Sequence, residues 1–111
     1  MTNTENGCAL RIYINEGDKD GTKPLFEALV QRAEEHGIAG ATVFRASMGF
    51  GPKHHLVAAK VLRLAADLPV VVEVIDTREK IDQFLENNGK LIESGLATIE
   101  PVEMIRFTTT A

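Results

Sequence analysis

The sequence predicts a single α+β domain in which four strands and two helices follow one another in the order β-α-β-β-α-β. Two segments carry apolar residues at helical spacing, and segments that are alternating or continuously apolar lie on either side of each. The length of 111 residues suits one domain with one core. The 44% of hydrophobic residues and 25% of charged residues are ordinary for a globular chain.

The first strand is predicted from Ala9 to Asn15, because apolar and polar residues alternate there with the two-residue period of a half-buried strand. Residues 1–7 are polar and end in glycine, so residues 1–8 are predicted to form a flexible N-terminal tail. The strand is followed by EGDKDG, a loop rich in turn-forming residues.

The first helix is predicted between Pro24 and Gly37. A proline suits the first turn of a helix, where its missing N–H is not needed, and a glycine suits the left-handed residue that ends one. Its buried side is given by the apolar residues at helical spacing: Leu25, Phe26, Leu29, Val30 and Ala33.

A second strand is predicted around the β-branched pair Thr42-Val43, and it runs into the segment GFGPKHHL, in which three of eight residues are glycine or proline. A segment of this composition is mobile or is shaped by what it binds. Residues 58–68, AAKVLRLAADL, fit the spacing of a helix or of a strand.

A third strand is predicted over LPVVVEVID (68–76), whose run of β-branched residues is typical of a buried central strand. The second helix follows, and Asp76 with Glu79 predicts a capping box at its start. Asn88-Gly89 is expected to kink or split this helix, and Gly95 to end it. Its buried stripe is predicted as Ile81, Phe84, Leu85, Leu91 and Ile92.

The last strand covers LATIEPVEMIRF (96–107), and Pro101 near its middle predicts an edge strand or a bulge. The complete order predicts a ferredoxin-like βαββαβ fold, with a four-stranded antiparallel sheet and two helices on one face. The domain is expected to cover residues 9–107, followed by a C-terminal tail at 108–111. The opposite face of the sheet has no helix to cover Ala9, Tyr13 and Val71, so we expect it to meet another subunit.

Composition and charge exclude several classes of function. The net charge is −4 and the basic residues are scattered, whereas a nucleic-acid-binding protein usually carries a basic stripe. No apolar run approaches the ~20 residues that cross a bilayer, and the N-terminus lacks the pattern of a signal peptide. The single cysteine, Cys8, cannot form an internal disulfide. A cytoplasmic protein without membrane insertion or a nucleic-acid partner is therefore expected.

Three stretches together carry a family resemblance: KPLFEALVQRAEEHGIAGATVFRASMGFG (23–51), AKVLRLAADLPVVVEVIDTREKIDQFL (59–85) and SGLATIEPVEMIRF (94–107). They resemble a PII-like family of uncharacterised proteins, a domain of unknown function distantly related to the nitrogen regulatory PII proteins. The resemblance implies a homotrimer of ferredoxin-like subunits that binds small ligands in clefts between subunits. It also implies that a loop between the second and third strands, here residues 49–58, contacts a partner protein such as a membrane transporter.

The chain departs from the PII proteins themselves in two places. Their modifiable tyrosine loop is absent, since the only tyrosine is Tyr13 in the first strand. Their glycine-rich phosphate turn before the last strand is not matched, and the pair Gly89-Lys90 is too common to replace it. No cofactor is therefore assigned, and a nucleotide or a small carboxylate is kept as the candidate ligand.

The segment GFGPKHH is predicted to bind a small anion, because glycines let backbone N–H groups approach anionic oxygens and a lysine adds charge. A loop of the same composition with no bound ligand is the alternative. The predicted ligand-binding residues are Arg45, Gly49, Gly51, Lys53, His54 and Arg63. The predicted partner contacts are Phe50, Pro52 and His55.

Two other functions remain open at this point. The pair His54-His55 could bind a metal in a trimer that brings three loops together, but a catalytic zinc normally needs three protein ligands. No metal residue is therefore assigned. A small ferredoxin-like enzyme is the other alternative, although no nucleophile beside a base is apparent and Asp18 and Asp20 fit a solvated turn. We expect a regulatory protein that is not an enzyme.

Overall fold

The computed structural model describes residues 2–52, 57–58, 67–92 and 95–107. The helices are α1 (Leu25–Glu35) and α2 (Arg78–Asn88), and a 3-10 turn at Gly89–Ile92 follows the second. The strands are β1 (Thr2–Asn15), β2 (Lys19–Asp20), β3 (Lys23–Pro24), β4 (Gly40–Arg45), β5 (Met48–Gly49), β6 (Val57–Ala58), β7 (Pro69–Asp76) and β8 (Leu96–Phe107).

The main sheet is antiparallel and has the strand order β4-β7-β1-β8. Strands β1 and β7 are central, as the sequence predicts for the first and third strands of a ferredoxin-like fold, and β8 lies at an edge, as Pro101 predicts. Two short ladders, β2 with β3 and β5 with β6, lie outside this sheet. The predicted fold class is confirmed.

The core lies between one face of the sheet and the two helices. Along β7 the side chains alternate between buried and half-buried, because successive residues of a strand point to opposite faces. The even-numbered positions of β1 and β7 face the helices. The core cluster consists of Cys8, Leu10, Ile12, Ile14, Leu25, Leu29, Ala33, Val70, Val72, Val74, Ile81 and Phe84.

Helix α1 has the boundaries that its flanking residues predict. Pro24 is its N-cap residue, and Gly37 has a left-handed φ of 69° just beyond its end. The Ile38 N–H donates to the Ala33 carbonyl at 3.0 Å, which satisfies one of the carbonyls left free at the end of a helix.

Helix α2 begins one residue later than the capping-box pattern predicts. Thr77 is the N-cap, and its side chain accepts a hydrogen bond from the Lys80 N–H. Asp76, the predicted cap, is instead buried at the end of β7, where its carboxylate accepts the N–H of Ala39 on a neighbouring segment. The prediction of a break at Asn88-Gly89 is confirmed, because α2 ends there and the 3-10 turn follows.

Strand β1 begins at Thr2, seven residues before the strand start predicted at Ala9. Residues 2–7 pair with residues 102–107 of β8 and extend the β1–β8 ladder beyond the end of β7. The boundary was wrong because residues 2–6 are exposed on both faces, so this part of the strand carries no apolar alternation. Backbone pairing, rather than burial of side chains, defines it as a strand.

Candidate functional site

The predicted binding segment begins where β4 ends. Arg45 is the last residue of β4, and the pair β5–β6 follows, with Gly49 opposite Val57. Within this segment Phe50 and Pro52 are exposed. Of the predicted site residues, Lys53, His54, His55 and Arg63 lie outside the described residues.

Arg45 lies beside the turn that follows β1. Its guanidinium forms an ion pair with the Glu16 carboxylate, and the two side chains are 63% and 17% exposed. The next residue, Ala46, donates its N–H to the Pro69 carbonyl at 2.9 Å. The start of the predicted loop is therefore attached both to this turn and to the first residue of β7.

The turn itself is closed by its own hydrogen bonds. The Asp18 N–H donates to the Asn15 carbonyl at 3.1 Å, and the Asp18 carboxylate accepts the Asn15 N–H at 3.0 Å. The Asp18 carbonyl in turn accepts the N–H of Leu25, the first residue of α1, at 2.8 Å. Aspartate favours such turns because its short side chain can reach nearby backbone groups.

The same turn contacts the residues that lead into β7. The Gly17 N–H donates to the Asp67 carboxylate at 2.9 Å, and the Glu16 N–H donates to the Leu68 carbonyl at 2.8 Å. A side chain at position 17 would place its Cβ 2.8 Å from that Asp67 oxygen. A larger residue at position 17 would therefore displace the Asp67 carboxylate and disturb this hydrogen bond.

A cavity of about 230 Å³ opens next to the turn. Its polar lining comes mainly from Asn15, Asp18 and Lys19, and Pro52 contributes the first part of the predicted loop. The remaining lining residues are Tyr13, Ile14, Leu25, Leu91, Ile92 and Gly95. Pockets for drug-sized ligands usually have volumes of about 300–1,000 Å³, so this cavity suits a small ligand or one part of a larger one.

The sequence prediction missed the contribution of this turn. The sequence places Asp18 in a solvated turn and indicates no role for Glu16 and Lys19. The available signal was the position of EGDKDG directly after a buried strand, since binding residues often lie on loops at the ends of rigid elements.

The face of the sheet opposite the helices carries an apolar row. Phe44 pairs with Val71, Val71 with Tyr13, and Tyr13 with Leu96, one residue from each strand in register. Phe44 and Leu96 are 51% and 53% exposed. These exposures support the prediction that this face carries an uncovered apolar surface. The prediction was wrong for Ala9, which is only 1% exposed within the subunit and offers little surface to a partner.

An ion-pair network lies beside this row. Arg11 donates through Nε to Glu73 at 2.9 Å and contacts Glu100 through Nη2 at 3.4 Å. The hydrogen bond to Glu73 and the charge of Glu100 raise the pKa of Arg11, against the opposing effect of desolvation. The guanidinium therefore stays charged across the physiological pH range.

The described residues contain no cluster of three or more His, Cys, Asp or Glu side chains that could hold a metal ion. The alternative of metal binding depends on His54 and His55, which lie outside the described residues. None of the helices in the described part of the chain has the length and apolar character needed to span a bilayer.

Together, the sheet order and the two helices on one face define a ferredoxin-like α+β fold, with a cavity beside the β4–β7 connection. The solved structure of CPII, a nitrogen regulatory PII-like protein from Thiomonas intermedia K12 bound to ADP, AMP and bicarbonate, superimposes with a TM-score of 0.68. The sequences are 15% identical, and the match covers 92% of this chain and 91% of CPII.

The chain belongs to the DUF190 family (Uncharacterized ACR), whose model matches residues 7–104. A UPF0166 protein of Aquifex aeolicus is 46% identical over 97 residues, which cover 86% of this chain and 90% of that protein. A UPF0166 protein of Methanocaldococcus jannaschii is 32% identical over 90 residues, covering 75% and 82%. The family suggested by the resemblance is thereby confirmed.

Proposed function

We propose that this protein is a PII-like regulatory subunit that binds a small anionic ligand and passes its presence on to a partner protein. It acts as a homotrimer, and the ligand binds in the clefts between subunits. Residues 49–58 form the contact with the partner, for which a membrane transporter is the candidate. The role is regulatory and includes no catalysis.

One observation carries this proposal: the cavity beside the β1 turn is lined both by the turn and by Pro52 of the 49–58 loop. A ligand in this cavity touches the loop directly. Its occupancy therefore favours the loop arrangements that complete the cavity, and a ligand shifts an equilibrium only through such a difference in affinity.

The proposed ligand class is supported by the size of the cavity, by Lys19 in its lining and by the molecules bound to a protein of similar fold. The cavity of about 230 Å³ is the part of the proposed cleft that one subunit contributes, and its size suits an anion such as bicarbonate or a small carboxylate. Bicarbonate is one of the molecules bound to CPII, with ADP and AMP. A nucleotide is larger, so it would need additional surface from a neighbouring subunit. Lys53, His54 and Arg63 are the proposed additional ligand contacts.

The proposed trimer is supported by the apolar row Phe44–Val71–Tyr13–Leu96 on the uncovered face of the sheet. Contiguous exposed apolar surface on a small protein commonly marks an interaction site. The row crosses all four strands, so a neighbouring subunit packed against it would bury the residues that a monomer exposes.

Isothermal titration calorimetry with ADP, AMP and bicarbonate tests the proposal, together with light scattering for the oligomeric state. We expect a trimer that binds at least one of these probes, and Lys53→Gln should weaken binding about tenfold, since a hydrogen bond to a charged group contributes roughly 1.5–3 kcal/mol. Lys23→Gln is the matched control, because Lys23 is an exposed lysine that contacts Gln31 away from the cavity. A monomer that binds none of the probes would refute the proposal.

A further inference from the structure

Building on the proposed function, we infer that residues 15–19, which we name the coupling turn, link the cavity to both ends of the β4–β7 connection. These ends are Arg45–Ala46, where the chain leaves β4, and Asp67–Pro69, where it enters β7. The coupling turn is thus the element through which a ligand in the cavity alters the contacts of these two ends, on either side of the loop.

The coupling turn contacts both ends of the connection. Glu16 contacts the outgoing end through its ion pair with Arg45 and the incoming end through its N–H bond to Leu68. Gly17 adds a charge-assisted hydrogen bond to Asp67, a class that is about twice as strong as a neutral one. A displacement of the turn must therefore alter contacts at both ends.

The two ends are also joined to each other. The Ala46 N–H donates to the Pro69 carbonyl at 2.9 Å, so a displacement of one end would disturb its bond to the other. Together with the turn, they form a closed set of contacts around the base of the connection. A change introduced at Asp67 is therefore expected to reach Ala46 through Gly17, Glu16 and Pro69.

Hydrogen bonds within the coupling turn join its residues to one another. The reciprocal bonds between Asn15 and Asp18 close it, and the Asp18 carbonyl attaches it to Leu25 at the start of α1. Asn15, Asp18 and Lys19 line the cavity on one side, while Glu16 and Gly17 carry the contacts to the two ends on the other. A ligand held by the first group therefore acts on the second.

Amide hydrogen exchange followed by two-dimensional NMR tests the coupling without any ligand. In Asp67→Ala the exchange rate should rise about tenfold at Gly17, which loses its acceptor, and it should also rise at Glu16 and Ala46. Asp67→Asn retains a carbonyl oxygen at the same position and should restore most of the protection. Gly17→Ala should reproduce the effect of Asp67→Ala, because its methyl group would collide with the Asp67 carboxylate.

Asp82→Ala is the matched control for these variants. Asp82 is another exposed acid, which pairs with Arg78 at 2.9 Å on α2, and its loss should leave exchange at Glu16, Gly17 and Ala46 unchanged. If Asp67→Ala raises exchange at Gly17 but not at Ala46, the turn does not connect the two ends and the inference is wrong.

A second measurement adds ADP with bicarbonate to the folded, full-length protein. In the wild type we expect exchange at Gly17 and Ala46 to slow together, while Asp67→Ala should bind the probes with an affinity within about threefold of wild type and show no slowing at Ala46. An equal response of Ala46 in the variant overturns the inference alone. Absence of binding by the wild type overturns the proposed function and, with it, the role of the turn in sensing.

Discussion

The Asp76 carboxylate accepts the backbone N–H of Ala39 through Oδ2 at 2.8 Å, and this bond joins the end of β7 to the residue before β4. Its second oxygen accepts the Thr77 N–H at 2.7 Å at the start of α2. Arg106 lies 3.4 Å from the same carboxylate and Lys80 lies 4.0 Å away. The buried Asp76 carboxylate is thus hydrogen-bonded to two backbone N–H groups and lies close to two cationic side chains.

Asp76→Ala should therefore lower the free energy of unfolding by about 3 kcal/mol, because it removes a buried charge that is both paired and hydrogen-bonded. Asp76→Asn retains one acceptor oxygen and should cost less. Urea denaturation at neutral pH gives both values. Asp82→Ala removes an exposed i,i+4 pair and should cost about 0.5 kcal/mol or less; equal losses at the two positions would contradict this account of Asp76.

Gly37→Ala should destabilise the protein by about 1 kcal/mol. The residue has a φ of 69°, and a left-handed conformation costs a residue with a Cβ roughly 1–2 kcal/mol. A thermal melt of the variant measures the effect. Gly51→Ala is the control, because a Cβ at that position meets no atom within 4 Å and the residue is not in the left-handed region. If both substitutions shift the melting temperature equally, backbone strain is not the cause.

Phe44→Asp and Leu96→Asp should dissociate the proposed trimer. Both side chains are about half exposed at the two ends of the apolar row, and a charge in a buried interface costs about 2 kcal/mol or more per contact. Size-exclusion chromatography with light scattering measures the mass, and far-UV circular dichroism checks that each variant remains folded. Met48→Asp changes an exposed apolar residue outside the row and should leave the mass unchanged. A trimer that persists in both row variants would place the interface elsewhere.

Asn88 is buried, and its side-chain nitrogen donates to the Phe84 carbonyl at 2.8 Å. Its Oδ1 has no hydrogen-bond partner among the parts of the chain that the structure describes. Asn88→Leu should therefore change the free energy of unfolding by no more than about 1 kcal/mol, since the lost hydrogen bond is offset by relief of a buried unsatisfied oxygen.

Asn88→Asp is the contrasting variant, because it places a negative charge of nearly the same shape in the same buried position. It should lower stability by several kcal/mol at pH 7, since burying an unpaired charge is costly. Urea midpoints for the two variants provide the comparison. A larger loss in the leucine variant than in the aspartate variant would show that Asn88 Oδ1 has a strong partner.

The elements of the fold could be predicted where the determining residues are close together in sequence. The helical spacing of Leu25, Leu29 and Ala33 and the flanking Pro24 and Gly37 define α1 through local rules alone. The start of α2 shows where such rules fail. Asp76 and Thr77 are both good N-cap residues, and the choice between them depends on Ala39, which accounts for the burial of Asp76.

The candidate site was only partly predictable for the same reason. The composition of residues 49–52 indicates a loop, and Arg45 could be placed near it from the strand pattern. The contacts of Gly17 with Asp67 and of Glu16 with Arg45 join residues that are 50 and 29 positions apart. Residue spacing along the sequence does not predict these contacts. They form because the sheet brings the ends of β1 and β4 and the start of β7 side by side.

Pro101 also affects how the molecule behaves at high concentration. It lies opposite Cys8 within the edge strand β8, and proline has no N–H to donate. An unprotected edge presents a regular row of donors and acceptors on which an incoming chain can add a strand and begin a fibre. Because Pro101 removes a donor near the midpoint of β8, pairing with an added strand would be interrupted there, which disfavours fibre growth from this edge.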